Sequence, residues 1–100
     1  MLNIEKSKEG SALVVSLLGR LDTTTAPLLE GELKDSLGGI TVLTLNMEKL
    51  EYISSAGLRV LLSAQKVMNT QGEMKIIHVN ETIMEIFEVT GFSDILTIER

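Results

Sequence analysis

The chain has 100 residues, of which 44% are apolar, enough for one hydrophobic core and too few for a second domain. Its 14 acidic and 9 basic side chains give a formal charge of −5, the wrong sign for a protein that binds nucleic acid or an anionic membrane. The absence of cysteine excludes disulfides, zinc–thiolate sites and thiol catalysis. No apolar run reaches the roughly 20 residues of a membrane-spanning helix, so we expect a cytoplasmic protein.

The first part of the sequence predicts a β-hairpin. Leu2 and Ile4 alternate with polar residues, Glu9-Gly10 is a turn signal, and residues 12–18 are almost continuously apolar. Alternation is typical of an edge strand, and a continuous apolar run is typical of a more buried strand. We therefore expect an edge strand paired with an inner one.

Helices and strands alternate in the remainder of the chain. Each predicted helix follows residues that favour a helix start and ends at a glycine, and the strands between them are short and rich in β-branched residues. In chain order, the elements are a helix from Ala26-Pro27 to Leu37, a strand over 40–45, a helix from Ser54-Ser55 to near Gly72, a strand over 74–79, a helix from Asn80 to Gly91 and a strand over 95–98. Gly31 lies inside the first helix, which predicts close packing there.

The resulting order is ββαβαβαβ, a hairpin followed by successive crossover units. It predicts an α/β fold in which helices accompany a mixed, mostly parallel sheet with right-handed crossovers. In such a sheet, ligands and reactive groups gather beyond the carboxyl ends of the strands. The polar residues expected at that edge are Asp22, Asn46, Ser54, Ser55 and His78.

A serine hydrolase is one interpretation of this edge, because serine, histidine and aspartate are the residue types of a catalytic triad. A nucleophile elbow needs the pattern Gly-x-Ser-x-Gly, and residues 53–57 supply only its last glycine, Gly57. His78 is interpreted more simply as a strand-end imidazole in contact with backbone or water. With no cysteine, one histidine and no glycine-rich phosphate loop, the sequence predicts no metal, no cofactor and no enzyme activity.

Ser54 and Ser55 lie at the predicted start of the second helix. The first turn of a helix has unpaired backbone N–H groups and the positive end of the helix dipole, so it stabilises an added anion, including a phosphate group on a side chain. The two interpretations of a serine there are a helix cap and a phosphorylation site. Position alone favours capping. We assign capping to Ser54 and keep both interpretations open for Ser55.

Residues 52–58, Tyr-Ile-Ser-Ser-Ala-Gly-Leu, resemble the signature of the bacterial anti-sigma factor antagonists, the stand-alone STAS domains. The usual signature is an aromatic and an apolar residue followed by Asp-Ser-Ser-Gly-Leu. Further matches at residues 19–22, 43–46 and 89–92 extend the resemblance over essentially the whole chain, and the predicted element order is that of the family's fold. The resemblance therefore implies one STAS domain over residues 1–100.

The resemblance also implies a regulatory partner switch. In the family, a serine of the signature is phosphorylated by a partner that is both an anti-sigma factor and a serine kinase. The unphosphorylated form binds that partner and frees a sigma factor, and a serine phosphatase resets the switch. Aligning Gly57-Leu58 with the Gly-Leu of the signature identifies Ser55 as the phosphoacceptor, with Ser54 as the second choice. The residues expected to bind the partner are Asp22, Thr23, Ser54, Ser55, Gly57 and Arg59.

The sequence departs from the family pattern at two positions near the acceptor serine. Ser54 stands where many members have aspartate, and Asn46 replaces another frequent aspartate. Both departures lower the negative charge that the resemblance implies beside the acceptor serine.

Two further interpretations belong to the same family. A small-ligand-binding STAS module, of the kind attached to transporters and sensors, would be stabilised by its ligand without any kinase. A scaffold in a larger signalling complex would use the same surface as the partner switch. A hydrolase, by contrast, would lose turnover on His78→Ala, a change to which a partner switch is nearly indifferent.

Overall fold

Four strands form one mixed sheet in the computed structural model of the protein, which describes residues 1–99. The strands are β1 (Leu2–Glu9), β2 (Ala12–Leu21), β3 (Val42–Ile53) and β4 (Glu73–Ile77), and they lie side by side in the order β1-β2-β3-β4. The helices are α1 (Ala26–Ser36), α2 (Ser55–Gln71) and α3 (Glu81–Thr90), followed by a 3₁₀ turn at Phe92–Asp94. None of these helices is long and apolar enough to cross a membrane.

Strand pairing confirms the predicted hairpin and the mostly parallel sheet. β1 pairs antiparallel with β2, from Leu2 opposite Gly19 to Glu9 opposite Ala12. Gly10, in the tight turn between them, has a φ of +62°, a left-handed conformation that glycine adopts without strain. β2 and β3, and β3 and β4, pair parallel, as the intervening helices require.

The hydrophobic core follows the alternation of the inner strands. On β2, Leu13, Val15 and Leu17 are buried, whereas Val14 between them is 37% exposed. The helices bury their apolar residues in the same cluster. Its fully buried members from β3 and the helices include Leu43, Leu45, Met47, Leu29, Leu61, Met68, Ile83 and Phe87. One core therefore holds the helices in fixed positions against the sheet. This packing sets where the start of each helix lies relative to the strand ends.

The predicted ends of α3 are confirmed. The Asn80 side chain accepts a hydrogen bond from the Ile83 backbone N–H at 2.9 Å, and its amide donates to the Leu50 carbonyl at 2.8 Å. Gly91 ends the helix with a φ of +81°, in the left-handed conformation of a C-cap.

Two predicted strands have the wrong extent. β3 was expected over 40–45, but it continues to Ile53, because register shifts after Ser16 and Gly19 allow its polar second half to go on pairing with β2. The strand expected over 95–98 is reduced to one bridge between Ile98 and Ile76, because the preceding 3₁₀ turn occupies the chain up to Asp94. The ββαβαβα part of the order is confirmed.

The expectation for Gly31 was wrong as well. A Cβ atom added to Gly31 would meet nothing within 4 Å, so no neighbour packs closely against α1 at this position. Glycine here only lowers the helix propensity.

Candidate functional site

The carboxyl ends of β2 and β3 bring two loops of the chain together. Leu21 and Ile53, the last residues of these strands, pair with each other, and the Ser54 backbone N–H donates to the Leu21 carbonyl at 2.9 Å. The loop that begins at Asp22 and the first turn of α2 therefore start from the same point at the edge of the sheet. This is the edge at which the sequence predicted a site.

Ser54 is the N-cap of α2. Its backbone is extended, with φ −95° and ψ 175°, and its Oγ accepts a hydrogen bond from the Gly57 backbone N–H at 3.3 Å. The side chain is only 9% exposed. Its hydroxyl oxygen thus satisfies one of the unpaired donors at the helix start, as the capping interpretation predicted.

Ser55 is the first residue of α2 and is exposed. Within residues 1–99, its hydroxyl has no hydrogen-bond partner on another side chain or on the backbone. Arg59, also exposed, follows four residues later and therefore lies one turn further along the same side of the helix. A group attached to Ser55 would enter solvent beside the positive end of the helix dipole, without displacing a structural contact.

Gly57 is buried beneath the exposed side of α2 that carries Ser55 and Arg59. A Cβ atom at this position would lie 2.7 Å from Leu21 Cγ and 2.9 Å from Ile53 Cγ1, shorter than real Cβ contacts. Because glycine has no side chain, the first turn of α2 packs directly on the ends of β2 and β3. This packing sets the position of Ser55 relative to the sheet.

Asp22 organises the loop between β2 and α1. Its Oδ1 accepts hydrogen bonds from the Thr24 hydroxyl at 2.8 Å, the Thr24 N–H at 3.0 Å and the Thr25 N–H at 3.1 Å. Thr25 closes the loop from the other side, since its hydroxyl accepts from the Asp22 N–H and donates to the Arg20 carbonyl, each at 2.8 Å. These hydrogen bonds, that of the Thr24 hydroxyl above all, lower the pKa of the Asp22 carboxyl below its usual 3.8. Thr23, at the tip of the loop, is exposed.

Arg20 and Tyr52 form a further pair near this edge, to which nothing in the sequence pointed. They are opposite each other in the β2–β3 register, and the Arg20 guanidinium lies 4.6 Å from the centre of the Tyr52 ring. At this distance a cation interacts favourably with the face of the ring. Only the parallel register of two strands far apart in sequence brings these side chains together.

A cavity of about 450 Å³ opens between α1 and α2 beside the first turn of α2. Thr23, Pro27, Ala56, Arg59 and Lys66 are among the residues that line it. The sequence did not reveal this cavity, because the periodicity of each helix shows which face is apolar but not how far apart two helices lie.

One of the predicted edge residues lies elsewhere. Asn46 was expected just past a strand, but it is inside β3, paired with Ser16 and Ile77, and its Oδ1 accepts from the Glu48 N–H at 3.0 Å. The longer extent of β3 is the reason. His78 was expected in the last part of a strand over 74–79, but β4 ends at Ile77, and His78 lies just past it at the predicted edge, exposed and with a φ of +56°.

The histidine, aspartate and serine side chains of the predicted edge are not linked to one another within residues 1–99. No hydrogen bond joins His78 to Asp22, Ser54 or Ser55, and the Asp22 and Ser54 side chains bond to their own loops instead. The same residues contain no group of three or more histidine, aspartate and glutamate side chains that could hold a metal ion. The group that this edge presents to solvent is the Ser55 hydroxyl, at the start of α2 and beside polar loops.

Known proteins share this fold. Residues 3–100 match the STAS domain family. The chain is 31% identical over 101 residues to an anti-sigma-B factor antagonist of Staphylococcus aureus, an alignment that covers 99% of this chain and 94% of that protein. An anti-sigma factor antagonist from Mycobacterium paratuberculosis superposes with a TM-score of 0.89 at 18% identity, over 99% of this chain and 86% of that one. The phosphorylated form of the Bacillus cell fate determinant SpoIIAA superposes with a TM-score of 0.74 at 18% identity, over 98% of this chain and 90% of that one.

The chain belongs to the STAS domain family. The family resemblance and the α/β fold predicted from the sequence are therefore confirmed.

Proposed function

We propose that the protein is an anti-sigma factor antagonist that works as a phosphorylation-controlled partner switch in the cytoplasm. The observation that carries the proposal is the contrast between two adjacent serines. The Ser54 hydroxyl is used as a helix cap, whereas the Ser55 hydroxyl is exposed at the first position of α2. The name of the Staphylococcus aureus relative supports an anti-sigma factor as the partner, and the phosphorylated form of SpoIIAA supports a phosphate-bearing state.

The unphosphorylated protein presents Thr23, Ser55 and Arg59 as the exposed part of the partner-binding surface. Asp22, Ser54 and Gly57 hold that surface in shape from below, through the loop hydrogen bonds, the helix cap and the close packing of the first turn. An anti-sigma factor with serine-kinase activity docks on this surface and releases its sigma factor.

Phosphorylation of Ser55 then ends the interaction. A phosphoserine carries a charge of about −1.5 to −2 at neutral pH, and burying it against a surface shaped for a hydroxyl costs desolvation energy and like-charge repulsion. The phosphate lies at the positive end of the α2 dipole, so the domain itself stays folded. A serine phosphatase restores the hydroxyl and with it the affinity for the anti-sigma factor.

The test is to incubate the protein with ATP and each anti-sigma-type serine kinase of the source organism, and to locate the phosphate by mass spectrometry. We expect phosphate on Ser55 of the wild type and none on Ser55→Ala, which binds the kinase but cannot be released from it. Ser54→Ala is the matched control. It loses a helix cap worth about 1 kcal/mol, and its Ser55 is still phosphorylated. Phosphate on Ser54 alone, or on neither serine, would refute the assignment.

A further inference from the structure

A continuous groove runs between α1 and α2, starting beside Ser55. The 450 Å³ cavity near the first turn of α2 shares Glu30, Val60 and Ser63 with a second cavity of about 240 Å³ further along the helices. The second cavity ends at Leu37 and Val67, near the carboxyl ends of both helices. We call the two together the α1/α2 groove.

The α1/α2 groove has an apolar floor and basic edges. Its floor includes the buried side chains of Leu33, Val60 and Ala64. Its charged residues are Lys34, Arg59, Lys66 and Glu30, which gives the groove a net positive charge on a chain whose formal charge is −5.

The basic side chains of the groove are available to a ligand. Within residues 1–99, the only ion pair joins Lys6 and Glu32, so Lys34, Arg59 and Lys66 have no acidic partner in the described part of the chain. A cationic, apolar-floored groove is complementary to a segment that is itself apolar on one side and acidic at its edges.

We propose that the α1/α2 groove binds an acidic amphipathic helix of the anti-sigma factor, an inference that rests on the proposed function. Arg59 and Lys66 are seven residues apart on α2, which is two helical turns or about 10 Å. A docked helix with carboxylates two turns apart matches this spacing, and apolar residues between them cover the floor. α1 has 11 residues, so a helix of roughly ten residues fills the groove.

The position of the groove also explains how a phosphate on Ser55 releases the partner. Side chains on an α-helix point towards its N-terminus, so Arg59 reaches back towards the residue one turn before it, which is Ser55. A phosphate there neutralises Arg59, one of the two cations that hold the acidic helix, and repels the nearer carboxylate. The switch therefore acts at the end of the groove, while Lys66 lies two helical turns further along α2.

Charge reversal tests the groove away from the phosphorylation site. Affinity for the anti-sigma factor is measured for the wild type, Lys66→Glu and the matched control Lys49→Glu, which makes the same charge change at an exposed position of β3 outside the groove. We expect Lys66→Glu to weaken binding about tenfold, with a loss that shrinks at high salt, and Lys49→Glu to have no effect. In parallel, a short synthetic amphipathic helix with glutamates two turns apart is titrated by NMR against a version with lysines at those positions.

Two results together would support the inference. The glutamate peptide, and not the lysine peptide, shifts amide signals along α1 and α2, and the Lys66→Glu variant binds both the glutamate peptide and the anti-sigma factor more weakly than the wild type. Binding of the lysine peptide, or shifts outside the groove, would overturn the inference. If Lys66→Glu binds the anti-sigma factor normally while Ser55→Asp does not, the groove is wrong and the proposed function stands. If no anti-sigma factor binds the wild type but the glutamate peptide occupies the groove, the proposed function fails and the binding chemistry of the groove stands.

Discussion

Ser54 and Ser55 are chemically identical neighbours whose surroundings differ. Ser54 is 9% exposed and its oxygen caps α2, whereas Ser55 is exposed one position further on. The sequence predicted the cap at Ser54 from the helix start, and the signature aligns Ser55 with the family's phosphoacceptor, which stays a prediction. The degree of burial could not be predicted, because it depends on how closely the first turn packs on Leu21 and Ile53.

Asp22 has a structural part that the sequence did not show. Its Oδ1 accepts hydrogen bonds from Thr24 and Thr25, and its contact with the partner stays a prediction. A carboxylate in that position stabilises the loop between β2 and α1. These hydrogen bonds could not be predicted from the sequence, since runs of threonine after aspartate occur in many loop conformations.

Asp22→Asn tests this assignment through the pH dependence of stability. Because the folded pKa of Asp22 is lowered from 3.8, its carboxylate contributes stability that is complete above that value and is lost as the pH falls through the folded pKa. We expect the wild type to exceed Asp22→Asn in free energy of unfolding at neutral pH, and the difference to shrink below about pH 4. Urea unfolding from pH 7 down to pH 3 measures both curves. Parallel curves over this range would show that the Asp22 carboxylate does not hold the loop.

At the scale of elements, close approaches of the backbone determine where helices meet the sheet. Gly72 ends α2, and the next residue donates its N–H to the Thr41 carbonyl at 2.9 Å, which starts the pairing of β4 with β3. A Cβ atom on Gly72 would lie 1.9 Å from the Thr41 carbonyl oxygen. The turn from α2 to β4 therefore has no room for a side chain at Gly72.

Two glycine-to-alanine changes separate close packing from helix propensity. We expect Gly72→Ala to destabilise the fold by about 1–3 kcal/mol, because the rigid backbone at Thr41 must move. Gly31→Ala, in the middle of α1 with nothing within 4 Å of the added Cβ, should stabilise it by about 0.5–1 kcal/mol. Chemical denaturation of both variants and the wild type gives the comparison. Equal effects of the same sign would contradict this assignment of the two glycines.

The elements that the sequence located well are those with local signals. The hairpin turn at Gly10, the N-cap at Asn80 and the left-handed C-cap at Gly91 are all set by neighbouring residues, and all three were found. The second half of β3 was missed because its polar residues do not resemble a strand, and its pairing depends on register shifts in β2. The final strand was predicted too long because a 3₁₀ turn competes for the same residues.

At the scale of the whole molecule, the net charge and its distribution matter more for partner binding than any single ion pair. The chain is acidic, with a formal charge of −5, yet the α1/α2 groove beside Ser55 is basic. Phosphorylation would carry the total to about −7 and place the added charge where the local sign is positive. A small domain can change its affinity in this way without a change of fold.

Ser55→Asp tests this separation of charge from stability. An acidic residue in the first turn of a helix is favourable by about 0.3–1 kcal/mol, so the melting temperature should stay the same or rise slightly, while anti-sigma factor binding is abolished. Ser7→Asp, at an exposed position of β1, makes the same change in net charge and should bind normally. Thermal unfolding and affinity are measured on the same samples. An unfolded Ser55→Asp, or one that binds as the wild type does, would contradict the proposed switch.

The sequence by itself determined the fold class, most of the element order and the family, because periodicity, caps and turn signals act between residues that are near in the chain. Only the tertiary structure decided that Ser54 is buried while Ser55 is exposed, and that Arg59 and Lys66 share a groove with α1. These features arise from contacts between segments that are far apart in sequence. Their geometry is set by how the helices pack on the sheet, which no local pattern encodes.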